Sequence, residues 1–185
     1  MSIGVPELET KRLVLRHWLD EDLESWVALN QDPEVMEFFP APLSREEALT
    51  LATKIQSNLE RSDRGLWAVE VKGGERFIGF VGLSVQDLGL EFTPCTEVGW
   101  RLKRSAWGQG YATEAAKAAL RYGLGELDLE VIYSFTAATN LRSQAVMERI
   151  GMHPRPELAF IHPRLDPESP LASHITFATR PSASL

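Results

Sequence analysis

The stretch that decides how this chain is read is "SAWGQGYATEAAKAAL", residues 105–120. Trp107 is followed by Gly108, Gln109 and Gly110, and then by a run with Ala112, Ala115, Ala116, Ala119 and Leu120 on one helical face. Glycine reaches backbone angles that other residues avoid, whereas alanine is the best helix former. The boundary therefore predicts a sharp turn feeding a helix N-terminus, where unpaired N–H groups and positive dipole gather. Two readings follow: a plain strand-to-helix turn, or a backbone cradle for phosphate. The spacing matches neither G-x-G-x-x-G nor G-x-x-x-x-G-K-[ST], which sets aside a dinucleotide fold and a P-loop. Lys103 and Arg104 add positive charge upstream, although with Arg101 they also fit a solvated strand end.

Outward from that stretch the pattern is mixed. "RLVLRHW" (12–18) alternates Leu13 and Leu15 against Val14 and Arg16, as a strand does. Asp20 is the expected N-cap of a first helix with Trp26 on its apolar stripe. Ser44 and Glu47 have capping-box spacing for a second helix running to about Arg61. "LWAVEV" (66–71), the turn "KGGE" (72–75) and "RFIGFVGLSV" (76–85) predict a hairpin, and "CTEVGWRLK" (95–103) a further strand. After the alanine helix come the strand "VIYSFTAAT" (131–139), the helix 140–151 ending at Gly151, a Pro-rich loop 154–170, and the strand "SHITFATR" (173–180). The order β-α-α-β-β-β-α-β-α-(β)-β is an α/β (α+β) arrangement, antiparallel before residue 100 and β-α-β after it.

The 185 residues suit a single domain, 1–185, with 44% hydrophobic and 24% charged content. A net charge of −7 with no basic run argues against nucleic-acid binding. It favours a cationic partner substrate beside any locally bound anion. A single cysteine, Cys95, forms no internal disulfide and fits a reducing, cytoplasmic setting. The first residues lack the basic flank and apolar run of a signal peptide, and no run is long enough for a membrane helix. His17, His153, His162 and His174 have no metal-ligand spacing, so no metal is expected.

"EVGWRLKRSAWGQGYATEA" (97–115) resembles the acyl-CoA-binding segment of the GNAT acetyltransferases, and "ATNLRSQAVMERIGM" (138–152) resembles the segment that follows it. With "ETKRLVLR" (9–16), the likeness is greatest to the branch containing the ribosomal-protein N-terminal acetyltransferases, and it spans about residues 8–180. It implies the GNAT fold: a mostly antiparallel sheet of about seven strands and four helices, splayed between the fourth and fifth strands. Acetyl-CoA would be co-substrate, its pantetheine lying beside Trp100 and Leu102, where a backbone N–H polarises the thioester. Its pyrophosphate would rest on Trp107, Gly108, Gln109, Gly110, Tyr111, Ala112 and Thr113. Ser105 stands where the family usually has Gln or Arg, removing one side-chain contact to phosphate.

The same resemblance gives Asn140 a contact to pantetheine and places Ser143 near the thiol, as the hydrogen-bond donor to the leaving thiolate. Met147 occupies the position of the tyrosine used by many relatives. Helix capping alone explains Asn140 and Ser143 equally well. Glu97 is the first candidate base; a solvent-facing strand carboxylate is the alternative. Glu91 and Glu70 are held in reserve, Glu91 also beside the acceptor. Phe38 and Phe39, ahead of Pro40, are expected to wall the acceptor pocket, with the 154–170 loop opposite. The resemblance thus implies acetyl transfer to a primary amine, with a protein N-terminal α-amine favoured over a small amine. A non-catalytic acyl-CoA-binding module is the rival class. A homodimer through the sheet edge or final strands is compatible with this reading.

Overall fold

The computed structural model describes residues 4–180; the two ends of the expected 1–185 span, 1–3 and 181–185, lie outside the described residues. The chain runs β1 (Leu8–Glu9), β2 (Leu13–Arg16), α1 (Leu23–Gln31), α2 (Arg45–Arg61), β3 (Leu66–Val71), β4 (Gly79–Gln86) and β5 (Cys95–Leu102). It continues through α3 (Tyr111–Arg121), β6 (Tyr133–Ala137), α4 (Leu141–Arg149), β7 (His153–Pro154), β8 (Phe160–Ile161) and β9 (Ser173–Ala178). One open sheet results, in the order β1-β2-β3-β4-β5-β6-β9-β7, with β8 also on β9. The expected count of about seven strands becomes nine among the described residues, because β1, β7 and β8 are two-residue pairings. Two of these, with a short helical turn at Pro156–Leu158, give the expected Pro-rich loop its structure along β9.

Pleat alternation sorts the sheet into two faces. Leu13, Leu15, Trp67, Val69, Val81, Leu83 and Val98 share one face and are fully buried. α3 covers that face, and Trp67 meets Tyr122 edge-on at 5.6 Å. The opposite face carries Phe80, which packs against Trp26 of α1 at 5.7 Å. Trp26 and Trp67 are both wholly buried, Trp26 in keeping with its place on the apolar stripe.

Two local expectations are met and two are corrected. Ser44 caps α2 in a reciprocal box: Glu47 N–H donates to Ser44 Oγ, and Ser44 N–H donates to the Glu47 carboxylate at 2.7 Å. Gly151 ends α4 with φ +83, the left-handed C-terminal position. Asp20, in contrast, is not the cap of α1, because residues 20–22 form a short 3-10 turn ahead of it. The alternation of Leu13 and Leu15 against Val14 and Arg16 is also broken, since Arg16 is buried with the leucines. Its buried guanidinium donates to both Asp22 oxygens at 2.8 and 2.9 Å and to Glu70 at 2.7 Å. A buried cation needs such partners, and their demand overrides both the strand alternation and the Asp20 cap.

Every strand pairing is antiparallel except that of β5 with β6, which is parallel and confined to Glu97↔Tyr133. Beyond that pair the strands diverge. Each is followed by a helix, so the N-termini of α3 and α4 both face the mouth of the opening.

Candidate active site

The splay between β5 and β6 is a cleft of about 1040 Å³. That volume sits at the upper end of small-ligand sites and has room for two substrates. At its mouth the "WGQGY" turn has Gly108 at φ +73 and Gly110 at φ +78. Both are left-handed backbone states in which a side chain is strained. A Cβ on Gly108 would meet nothing within 4 Å, so the loop's backbone is bare toward the opening. α3 begins at Tyr111, and the amides of its first turn have no intrahelical acceptor. Trp107, Gly108, Gly110, Tyr111, Ala112 and Thr113 all line the cleft, whereas Gln109 does not. The Gln109 side chain instead donates to the Ser105 carbonyl at 3.0 Å.

The loop is held by the chain's N-terminal segment. Glu114 accepts from Thr10 Oγ1 at 2.7 Å, from Arg12 N–H at 2.8 Å and from Arg12 Nε at 2.7 Å. Arg12 NH1 donates in turn to the Gln109 carbonyl at 2.9 Å, and its guanidinium lies over the Tyr111 ring. Burial opposes ionisation of Glu114, yet the bonds from Thr10 and Arg12 hold its carboxyl below the ordinary value. Thus "ETKR" and "GYATEA", about a hundred residues apart, form one brace around the turn.

Asn140 and Ser143 both line the cleft at the start of α4. Asn140 Oδ1 accepts the Ser143 N–H at 3.1 Å, which is the expected cap. Asn140 Nδ2 also donates to Ser143 Oγ at 3.1 Å and to Thr136 Oγ1 at 3.0 Å. The Ser143 hydroxyl therefore accepts from Asn140, leaving its own proton to be donated elsewhere. Capping uses the Ser143 backbone, not its hydroxyl. Met147 is buried at 1% exposure and brings no polar group to the site.

Glu97 lies at the vertex, on the last residue pair that β5 and β6 share. Burial pushes its carboxyl from 4.5 up to about 8, against the opposing hydrogen bonds from the Gln86 side chain and the Phe135 N–H. The side chain is half-buried and faces the cleft rather than the outer surface. Beyond Glu97 the β5 edge bearing Trp100 and Leu102 has no partner strand, so alternate backbone groups there are open to a ligand. Cys95 is unsuited to nucleophilic work, since burial and then the Glu97 charge push its thiol up to about 12.

Several expected residues fall elsewhere. Glu91 is exposed on the 87–94 loop and does not line the cleft. Glu70 is occupied by Arg16. Lys103 and Arg104 do not point at the glycine turn; they pair with Glu75 and Glu34. Arg101 is not at a solvated strand end, because the pleat turns it inward beneath Phe39. Phe38 and Phe39 do line the cleft, and His162 brings the 154–170 segment to it as well.

Sequence reasoning passed over Arg142, which stacks on Trp107 at 4.5 Å and pairs with Glu37 at 2.6 Å. It also passed over the His162–His174 pair, whose rings lie 4.9 Å apart at the cleft wall. Burial depresses both imidazoles below their ordinary values. No local spacing marks either feature, because each joins separate elements. Among the described residues no helix is long and apolar enough to cross a membrane, and no group of His, Cys, Asp and Glu is placed to hold a metal ion.

Residues 12–153 match the family described as acetyltransferase (GNAT) domain. The chain is 34% identical to the FsC-acetyl coenzyme A-N(2)-transacetylase of Aspergillus fumigatus over 80% of this chain and 65% of that protein's length. An acetyltransferase structure from Agrobacterium tumefaciens strain C58 superposes with a TM-score of 0.78 at 27% identity, covering 96% of each chain. The structure of RimL, the ribosomal L7/L12 alpha-N-protein acetyltransferase in complex with coenzyme A, gives a TM-score of 0.74. It covers 94% of this chain and 97% of that one at 13% identity, a likeness of fold.

Proposed function

The chain belongs to the GNAT acetyltransferase family, and on that premise we propose that it moves acetyl from acetyl-CoA to a protein N-terminal α-amine by direct attack in a ternary complex. Acyl transfer is the family's chemistry, and the curated relative named above takes its acetyl group from acetyl coenzyme A. The observation that carries the proposal is the vertex. A cleft floored by Glu97, with a glycine turn and two helix N-termini at its mouth, joins an acyl carrier site to a proton acceptor.

In this reading the pyrophosphate rests on the amides from Gly108 to Thr113, held by the Arg12–Glu114 brace. The pantetheine takes the place of the missing strand along the β5 edge. The amine lone pair attacks the thioester carbon, the C–N bond forms, and the C–S bond breaks. Glu97 takes the proton from nitrogen, directly or through a water, and Ser143 Oγ donates to the departing thiolate. A carboxyl that titrates near 8 is well matched to an α-amine, whose own pKa is about 8.

A small amine is the second reading, favoured by the 34% relative whose name gives an N(2) position as its target. Thiol release from acetyl-CoA, followed across short peptides and small amines, tests both. Turnover with peptides and none with small amines supports the first reading. CoA binding with no turnover on any amine would indicate a binding module and end both.

A further inference from the structure

Arg101 is an unexplained cation. Its guanidinium carbon lies 4.1 Å from the Phe39 ring centre, 5.5 Å from Trp26 and 5.7 Å from Phe80. Its one hydrogen-bonding protein partner is the Asn30 side-chain carbonyl. That amide cannot flip, since its Nδ2 donates to the Trp26 carbonyl at 2.7 Å. Among the described residues no carboxylate pairs with Arg101, and its Nε is buried without an acceptor. Burial alone lowers this group to about 10. A half-buried guanidinium with no carboxylate beside it and a buried, unsatisfied Nε is costly, and its remaining Nε and NH2 edge has the fork geometry that a carboxylate fits.

The position adds direction. Arg101 and Glu97 are four residues apart on β5, so both point to the same face, and both line the cleft. Between them is Gly99, where an added Cβ would meet nothing within 4 Å. The floor from Glu97 to Arg101 is therefore bare, and it spans roughly 13 Å along the strand.

We propose that Arg101 is an anion subsite in the acceptor half of the cleft, selecting amines that carry a carboxylate several bonds from the reacting nitrogen. The proposal rests on the amine-transfer reading for the position of the nitrogen at Glu97. A free α-amino acid is too short, because its amine and carboxylate share one carbon. An ω-amino carboxylate, or a peptide with an acidic group at its second or third residue, has the reach. Phe39 covers the guanidinium and becomes the side wall of the bound carboxylate.

The test uses the full-length enzyme saturated with CoA, which binds acceptors without turnover. Calorimetric titration compares ω-amino carboxylates of increasing length with the matching ω-amino amides. The expected result is a preference of about tenfold or more for the carboxylate once the chain spans the floor, and none at glycine length. Arg101→Met should abolish the preference while CoA affinity stays unchanged. Asn30→Asp places an internal carboxylate against the guanidinium and should have the same effect, so a misfolded Arg101→Met protein leaves the test intact.

Equal affinity for carboxylate and amide in the wild type in both this arm and the peptide arm, or a preference surviving in both variants, overturns the subsite. Short peptides with Asp or Asn at the second or third residue form a parallel arm. A preference in either arm supports the subsite and identifies the source of the carboxylate. A carboxylate preference in binding without any acetyl transfer would sustain the subsite and remove the transfer reading.

Discussion

Glu97→Gln separates a proton acceptor from a strand carboxylate in two independent readouts. Burial moves this carboxyl from 4.5 to about 8, worth at most about 5 kcal/mol at ~1.4 kcal/mol per pH unit. The folded chain holds the proton more tightly than the unfolded chain does. Stability is therefore lost as pH rises from the unfolded value to about 8, and the loss then levels off. The amide variant carries no such loss. Its urea midpoint should match the wild type near pH 4.5 and exceed it progressively up to pH 8.

The rate gives the second readout. A weakly basic acceptor that stays neutral above about pH 6 removes the amine's own titration from the profile. With it, wild-type kcat should climb as the carboxylate forms, reach half its plateau near pH 8 and flatten about one pH unit higher. Glu97→Gln should be flat, and slower by roughly 10²–10⁴ at high pH, with the two curves converging as pH falls. Parallel pH–rate curves, or a stability difference that does not change with pH, would refute the reasoning and leave the proton to water.

Gly110→Val forces a β-branched residue to φ +78 and sets its Cβ 3.4 Å from Arg12 NH2; the strain is ~1–3 kcal/mol. CoA affinity should fall by more than tenfold in the folded variant, and unchanged calorimetric affinity would return the motif to a plain turn. Ser143→Ala keeps the capped N–H, so its melting temperature should hold while kcat falls on the order of tenfold to a hundredfold. Asn140→Ala should instead lose ~1 kcal/mol of stability, and equal thermal losses in both variants would make Ser143 a cap only. Asp22→Ala strands the Arg16 guanidinium in the interior and should cost ~3–5 kcal/mol in urea unfolding; a loss below 1 kcal/mol would mean that Glu70 alone satisfies it.

What the sequence determined by itself was local. Alternation placed Leu13 and Leu15 on a buried face, capping chemistry placed Ser44, Asn140 and Gly151 at helix ends, and two glycines flanking Gln109 marked the left-handed turn before α3. These features depend on residues a few positions apart, so short-range propensity and period reveal them. The β5–β6 splay was legible only through family likeness, because no local signal says where two strands stop pairing. Tertiary structure alone decided the environments. Burial pushes the Glu97 carboxyl up to about 8 against the opposing bonds from Gln86 and Phe135, and Glu114 braces the glycine turn through Thr10, 104 positions away. A solvated strand end was one reading of Arg101, yet it is half-buried because α1 brings Asn30 and Trp26 against it from 71 and 75 positions upstream. Charge and burial follow from what the fold packs around a side chain, and those neighbours come from segments that sequence period cannot relate.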